Sequence, residues 1–198
     1  MKRYTILIIL CAVVGFMACA PYYLLRSDKP GQSDVIVLFL GSRFALRKQE
    51  AFKLIADGYS RRLIIPAYGK VSEAGLFSEE WGQTNLRPEL ATVKGRIANR
   101  LSYPKYYEDT HIEILEAKKA MDKAGLTSAI FVSSPYHMRR ISIMAAKVFG
   151  NHRYRLTFVP SRYEEDDSAS WFLHKRDLKF VFSEYSKIGW FMLYRYFT

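Results

Sequence analysis

Two short clusters hold side chains able to do chemistry, and a glycine turn joins them. The densest is Ser133-Ser134-Pro135-Tyr136-His137-Met138-Arg139-Arg140. It sets hydroxyls, an imidazole and two guanidinium groups around a proline suited to a first helical turn. A helix dipole disfavours cations at that end. His137, Arg139 and Arg140 therefore gain if an anion lies among them, with Ser133, Ser134 and Tyr136 beside it. The alternative is that the arginines reach solvent or pair with the acidic run Glu164-Glu165-Asp166-Asp167. The second cluster is Asp109-Thr110-His111-Ile112-Glu113. Thr110 and Glu113 have capping-box spacing, a complete structural explanation. The functional alternative is a hydroxyl and a carboxylate at a ligand-facing helix start. The turn is Gly41-Ser42, where glycine lets backbone approach a ligand closely. An ordinary strand-to-helix turn explains it equally well. A single glycine is not a dinucleotide fingerprint. His137 and Glu113 are the candidate acid–base groups. His111 and His137 have no metal-ligand spacing around them, and no G-x-S-x-G elbow is present, so neither a metal nor a cofactor is expected.

The segments around these clusters alternate between strand and helix patterns. Asp34 to Leu40 is an uninterrupted apolar run after its first residue, the pattern of a strand buried on both faces of a parallel sheet. A helix is predicted from Phe44 to Asp57 with Gly58 at its end, then a strand at Leu63–Ile65 stopped by Pro66. Ser72 to Gln83 reads as a helix or a mobile flap, and Pro88 to Asn99 as a helix. Asp109 to Ala124 is a clear helix, Ser128 to Val132 a buried strand, Tyr136 to Phe149 a helix and Tyr154 to Val159 a last strand. This is an α/β, Rossmann-like three-layer domain with a mainly parallel sheet. In such sheets ligands bind outside the carboxyl ends of the strands, where the strand order reverses. Gly41, Thr110, His137 and Arg140 are accordingly expected to face one pocket.

The two ends of the chain bear on its surroundings. Tyr4 to Leu25 carries no charged residue and follows Lys2 and Arg3. At 22 residues it is long enough to span a bilayer, which needs about 20. Residues 1–25 are expected to be a transmembrane anchor, 26–33 a linker and 34–198 the α/β domain. Cleavage after Ala20 and lipidation of Cys19 are the weaker alternatives: Pro21 opposes the first, Phe16 and Met17 the second. The flanking charges favour an amino terminus inside, so the domain is expected on the extracytoplasmic side of a bacterial inner membrane. Both cysteines, Cys11 and Cys19, lie in this stretch, which leaves the domain without thiol chemistry. A net charge of +11, spread along the chain without a nucleic-acid motif, points to lipid or phosphate rather than DNA or RNA. Asp177 to Phe197 is a helix dense in aromatic residues, and Trp190 to Phe197 is expected to touch the membrane or the anchor, unless these rings merely cover the sheet.

Three blocks resemble the bacterial domain-of-unknown-function family of SanA-, ElyC- and YdcF-like envelope proteins. They are Asp34-Val-Ile-Val-Leu-Phe-Leu-Gly41 with Arg47 and Gly58, Asp109-Thr110 with Glu113, and Ser133 to Arg140, the most specific. The chain departs from the family pattern in having a single glycine before Ser42, Pro66-Ala67 after the second strand, and Asp109 and Ile112 around the threonine. The resemblance implies a Rossmann-like fold and a role in envelope integrity. It implies no settled reaction, and S-adenosylmethionine binding belongs to one branch only. On this footing the expected activity is binding of a phosphorylated, lipid-linked glycan-type ligand. Arg47, His137 and Arg140 would hold the anion, and Thr110, Ser133 and Ser134 would donate hydrogen bonds. A non-catalytic assembly factor and a nucleotide or S-adenosylmethionine binder are the alternatives. If residues 1–25 anchor the chain, alkaline carbonate extraction leaves full-length protein in the membrane fraction. Release of the full-length chain, or an amino terminus near Pro21, rules the anchor out.

Overall fold

The computed structural model describes residues 4, 5, 8, 11, 15, 19–41, 43–68, 70–73, 97, 99–150, 153–164 and 171–197. Its strands are β1 (Val35–Leu38), β2 (Arg62–Ile65), β3 (Lys70–Glu73), β4 (Ser128–Ser133) and β5 (Arg155–Pro160). Its helices are α1 (Phe44–Ala56), α2 (Asp109–Lys123), α3 (Met138–Phe149) and α4 (Lys175–Tyr194). The strands form one sheet in the order β3-β2-β1-β4-β5. The neighbours β2–β1, β1–β4 and β4–β5 are parallel, and β3 pairs antiparallel with β2 at the edge. This is a Rossmann-like α/β arrangement. The expected helix or flap at 72–83 opens instead in β3, and the rest of it, with the helix expected at 88–99, falls almost wholly outside the described residues.

The apolar run of β1 is buried on both faces, as its pattern requires. Ile36 and Leu38 pack with Ala51 and Leu54 of α1. Val35, Val37 and Phe39 pack on the other side with Ile114 and Met121 of α2, Met144 of α3 and Phe191 of α4. Helices thus cover both faces in three layers. Gly58 and Gly125, with φ of 81° and 68°, follow α1 and α2 at the left-handed position where a helix stops. The start of β1 is tied to the start of β4 by Asp34. Its Oδ2 accepts the backbone N–H groups of Thr127 and Ser128 at 2.9 and 2.8 Å, and its own N–H donates to the Ser128 hydroxyl.

The segment expected to be a free tether is laid against the domain. Asp28 donates its N–H to the Phe158 carbonyl at 2.8 Å and accepts the Phe158 N–H on its carboxylate at 3.0 Å. Arg26 stacks on the Phe158 ring, and Arg155 donates to the Gln32 carbonyl. The bonds of Asp28 satisfy both backbone groups of Phe158 on the outer edge of β5, where unpaired backbone would invite aggregation. Upstream, residues 19–24 are helical, and Ala20 and Leu24 are buried against Trp171 and Val181. Among the described residues no helix is long and apolar enough to cross a membrane.

The aromatic helix α4 resolves into separate faces. Phe191 and Tyr194 enter the core beneath the sheet, so that part of the density does cover the domain. The described part of the amino-terminal segment, Ala20 and Leu24, meets α4 nearer its start, at Leu178, Val181, Tyr185 and Ile188. Tyr185 donates its hydroxyl to the Ala20 carbonyl at 2.9 Å.

The amide bonds to the Asp34 carboxylate, that of Thr127 first, hold its pKa below the ordinary aspartate value. Its contribution is therefore full above about pH 3.9 and is lost as pH falls through the folded-state pKa. Asp34→Asn is expected to cost about 1–2 kcal/mol at neutral pH, with the difference from wild type shrinking on acidification. Urea unfolding at pH 7 and at pH 3 measures both.

Candidate functional site

β2 and β4 flank β1 on opposite sides, so the chain reverses direction across the sheet at the carboxyl ends of β1 and β4. A cavity of about 480 Å³ opens there. The backbone after β1 supplies Phe39, Leu40 and Gly41, and Ser133 closes β4. Asp109, Thr110 and Glu113 enter from the first turns of α2, His137, Arg140 and Ile141 from the start of α3, and Arg47 from α1. Seven of the expected site residues therefore share one cavity: Gly41, Arg47, Thr110, Glu113, Ser133, His137 and Arg140. Ser134 and Tyr136 line a smaller neighbouring cleft, and Ser42 lies outside the described residues. His111 points elsewhere. It is buried between Tyr107 and Phe191, 3.0 Å from the Tyr194 hydroxyl, and burial lowers its pKa to about 4.

The capping box does not form. Glu108, not Thr110, stands at the cap of α2, and its side chain makes no capping hydrogen bond. Thr110 and Glu113 are used across elements instead. The Thr110 hydroxyl accepts a bond from Arg140 Nη1 at 2.6 Å, and Glu113 Oε1 accepts the Leu40 N–H at 3.0 Å. A strand-end amide and a buried guanidinium have fewer alternative partners than a solvated helix end, so they take the side chains.

Arg140 is bound on every edge of its guanidinium. It forms a two-bond fork with Glu184, at 2.6 Å from Nε and 3.1 Å from Nη2, and Nη1 adds Glu108 at 2.9 Å. Arg140 is 5% exposed and Glu184 1%. Despite its burial, Arg140 is held above its ordinary pKa by Glu184 and then Glu108. Arg47 is likewise enclosed. It donates to the Phe39 and Leu40 carbonyls, to the Ser134 hydroxyl at 2.7 Å and to Glu164 at 3.4 Å. Arg139 turns away from the cavity and donates to the Tyr23 carbonyl. The arginines expected to hold an anion are thus matched by carboxylates of the protein itself. Only one of those carboxylates, Glu164, comes from the acidic run.

Gly41 is explained by the same packing. Its φ of +151° and its position over Arg47 leave no room for a side chain, because a Cβ would lie 2.5 Å from Nη1. The glycine admits a guanidinium rather than a phosphate.

What remains open to the cavity is an acid–base set. Glu113 lines the cavity but is buried, and burial raises its pKa to about 7 against the lowering effects of the Leu40 amide and Arg47. His137 is held below its ordinary pKa by burial. Its Nδ1 lies 2.9 Å from Glu184 Oε1. Arg140 and His137 keep that carboxylate far below the ordinary glutamate range, although burial acts in the opposite direction. Nδ1 also lies 3.3 Å from Arg140 Nη2, which only donates, but its shorter contact is to an ionised carboxylate, which only accepts; on that contact Nδ1 carries the proton and Nε2 keeps a lone pair. Nε2 and the Ser133 hydroxyl have no protein partner among the described residues. Among those residues no group of His, Cys, Asp and Glu could hold a metal ion.

The carboxylates Glu184 and Glu108 are the parts of the site that motif reading does not find, whereas the acidic run offers Glu164 as an arginine partner and the fold gives it to Arg47. Glu184 carried one signal: it is the sole acidic residue of α4 beyond the first turn, set among aromatic neighbours, where a charge must be paired to be tolerated. Comparison with known proteins gives no matching family model, no matching curated protein and no matching solved structure.

Gly41→Ala is expected to destabilise the domain by about 1–3 kcal/mol, through strain at positive φ and displacement of Arg47. Denaturant unfolding checks this, and an unchanged midpoint would mean that the guanidinium moves aside freely.

Proposed function

We propose that this chain is an acid–base enzyme of the bacterial cell envelope, held at the inner membrane by residues 1–25, and that it acts on a hydroxyl-rich, glycan-type ligand by hydrolysis or group transfer. The observation that carries the reading is the pairing, in one cavity at the switch point of the sheet, of a carboxyl that titrates near pH 7 with a neutral imidazole oriented through Nδ1. His137 Nε2 takes the proton of a ligand hydroxyl or a water as that oxygen attacks. Glu113, protonated, gives its proton to the oxygen that departs from the attacked centre, and the proton on His137 returns to Glu113 through solvent before the next turnover. Ser133 and Thr110 present hydroxyls at the wall, where a sugar's own hydroxyls find partners. Glu184 acts through His137 by fixing its tautomer and ring orientation.

The matched arginines favour a ligand with little charge at the reacting centre, since binding bare phosphate there would mean separating buried ion pairs. A phosphate elsewhere on the ligand is compatible with this and agrees with the overall charge of +11. The envelope setting rests on the apolar amino-terminal run and on the resemblance of the Ser133–Arg140 block to the SanA-, ElyC- and YdcF-like family.

Incubating the protein with envelope glycan fragments, with and without phosphate, and following product mass tests the proposal. Turnover should fall about 10²–10⁴-fold in Glu113→Gln and in His137→Asn while binding persists. The rate should rise with pH as His137 loses its proton, below the ordinary histidine value of about 6.5, and fall as Glu113 ionises near pH 7. Full turnover in both variants, or binding without turnover by the wild type across the panel, rejects an acid–base role.

A further inference from the structure

A group of exposed apolar side chains flanks the place where the amino-terminal segment joins the domain. Trp171 is buried there against Ala20 and Leu24 and lies beside the Phe182 ring. Around it Phe172, Leu173 and Phe182 are 46%, 70% and 52% exposed, and Tyr22 on the amino-terminal segment is 55% exposed. Lys175, Arg176 and Lys179 are exposed in the same stretch, and its one carboxylate, the buried Asp177, is paired with Arg176 at 3.1 Å. At the helical repeat, Lys175, Lys179 and Phe182 share one face of α4, turned away from the buried Val181 and Glu184. Large rings and leucines beside lysines form the pattern of a protein surface lying at lipid headgroup depth.

We infer that this patch, Tyr22, Phe172, Leu173 and Phe182 with its rim of Lys175, Arg176 and Lys179, rests on an anionic lipid surface. Three observations select lipid over a second copy of the chain. The uncharged run Tyr4 to Leu25 leaves the domain at this patch, so a membrane reached by that run is adjacent to it. Among the described residues the exposed charges of the rim, Lys175, Arg176 and Lys179, are positive, which attracts anionic headgroups and repels an identical patch. The join is also rigid. Arg139 holds the Tyr23 carbonyl and stacks on its ring, Tyr185 holds the Ala20 carbonyl, and Asp28 is bonded to β5. A domain fixed in this way meets the bilayer with one face rather than swinging on a tether. The neighbouring Arg140 and Glu184 build the His137 site, so the same contacts set the orientation of the cavity to the membrane. The inference rests on membrane attachment through residues 1–25 and is independent of the chemistry at His137.

The test uses the full chain with Cys11 and Cys19 changed to Ser, reconstituted in vesicles of phosphatidylcholine with phosphatidylglycerol. Leu173→Cys carries an environment-sensitive fluorophore. Lys123→Cys, at the exposed end of α2 near the amino end of β4, carries the same label as a control. The label at 173 should shift to shorter wavelength and be quenched by headgroup-level doxyl lipids, whereas the label at 123 should do neither. Replacing Lys175, Arg176 and Lys179 by Gln, or raising the salt, should weaken the effect at 173. If the chain floats with the vesicles and the two labels behave alike, the patch does not touch lipid and the inference fails with attachment intact. Shielding of 173 from both lipid and aqueous quenchers, with 173–173 cross-links between copies, overturns it in favour of a second chain. A chain that does not float removes its premise and overturns it as well.

Discussion

A guanidinium buried at the meeting point of three helices governs the structure around the cavity. Arg140 belongs to α3, Glu184 to α4, and Glu108 and Thr110 to the start of α2. Burying that charge alone would be prohibitive, so the three helices are held together by the need to surround it with carboxylates. A network of this kind does not add stability in proportion to its bonds, because desolvation offsets much of the attraction. Its effect is on uniqueness. Loss of either partner leaves an uncompensated charge, at a cost of about 3–5 kcal/mol, and alternative packings of α4 that would leave Arg140 unpaired are disfavoured.

The same network produces the chemistry. Glu184 is shared between Arg140 and His137 Nδ1, so the group that neutralises the arginine also orients the imidazole. Glu113 sits close enough to both arginines to feel their charge, yet it makes no ion pair with either, and burial dominates its titration. One carboxylate is strongly ionised and another is half protonated near neutrality within a single site. This divergence arises from partners and solvent access, since the two side chains are chemically identical.

Arg47 plays a comparable part beneath the turn after β1. It gathers the carbonyls of Phe39 and Leu40, the hydroxyl of Ser134 and the carboxylate of Glu164, so the ends of β1 and β4 and the loop after β5 close on one side chain. The absent Cβ at Gly41 makes room for it. The two arginines thus hold the floor of the cavity, and Glu113, His137 Nε2 and the Ser133 hydroxyl line it outside their hydrogen bonds.

Local patterns in the chain were sufficient for the architecture. The apolar run before Gly41 specified a doubly buried strand, Gly58 and Gly125 marked helix ends, and the alternation of strands with helices placed Gly41, Thr110 and His137 at the carboxyl ends of the strands. These features depend on backbone preference and periodic burial, which act over a few residues. The partners of the charged groups could not be read in the same way. Arg140 and Glu184 are 44 residues apart and Arg47 and Glu164 are 117 apart, and no spacing rule links them. The Thr110–Glu113 spacing even pointed to a local cap that the fold does not form, because buried donors on other elements claimed both side chains. The sequence by itself determined which elements form and which side chains gather at the strand ends. Only the tertiary structure decided which charges neutralise one another and which groups stay free to react, because pairing of buried charge depends on proximity across the fold and not along the chain.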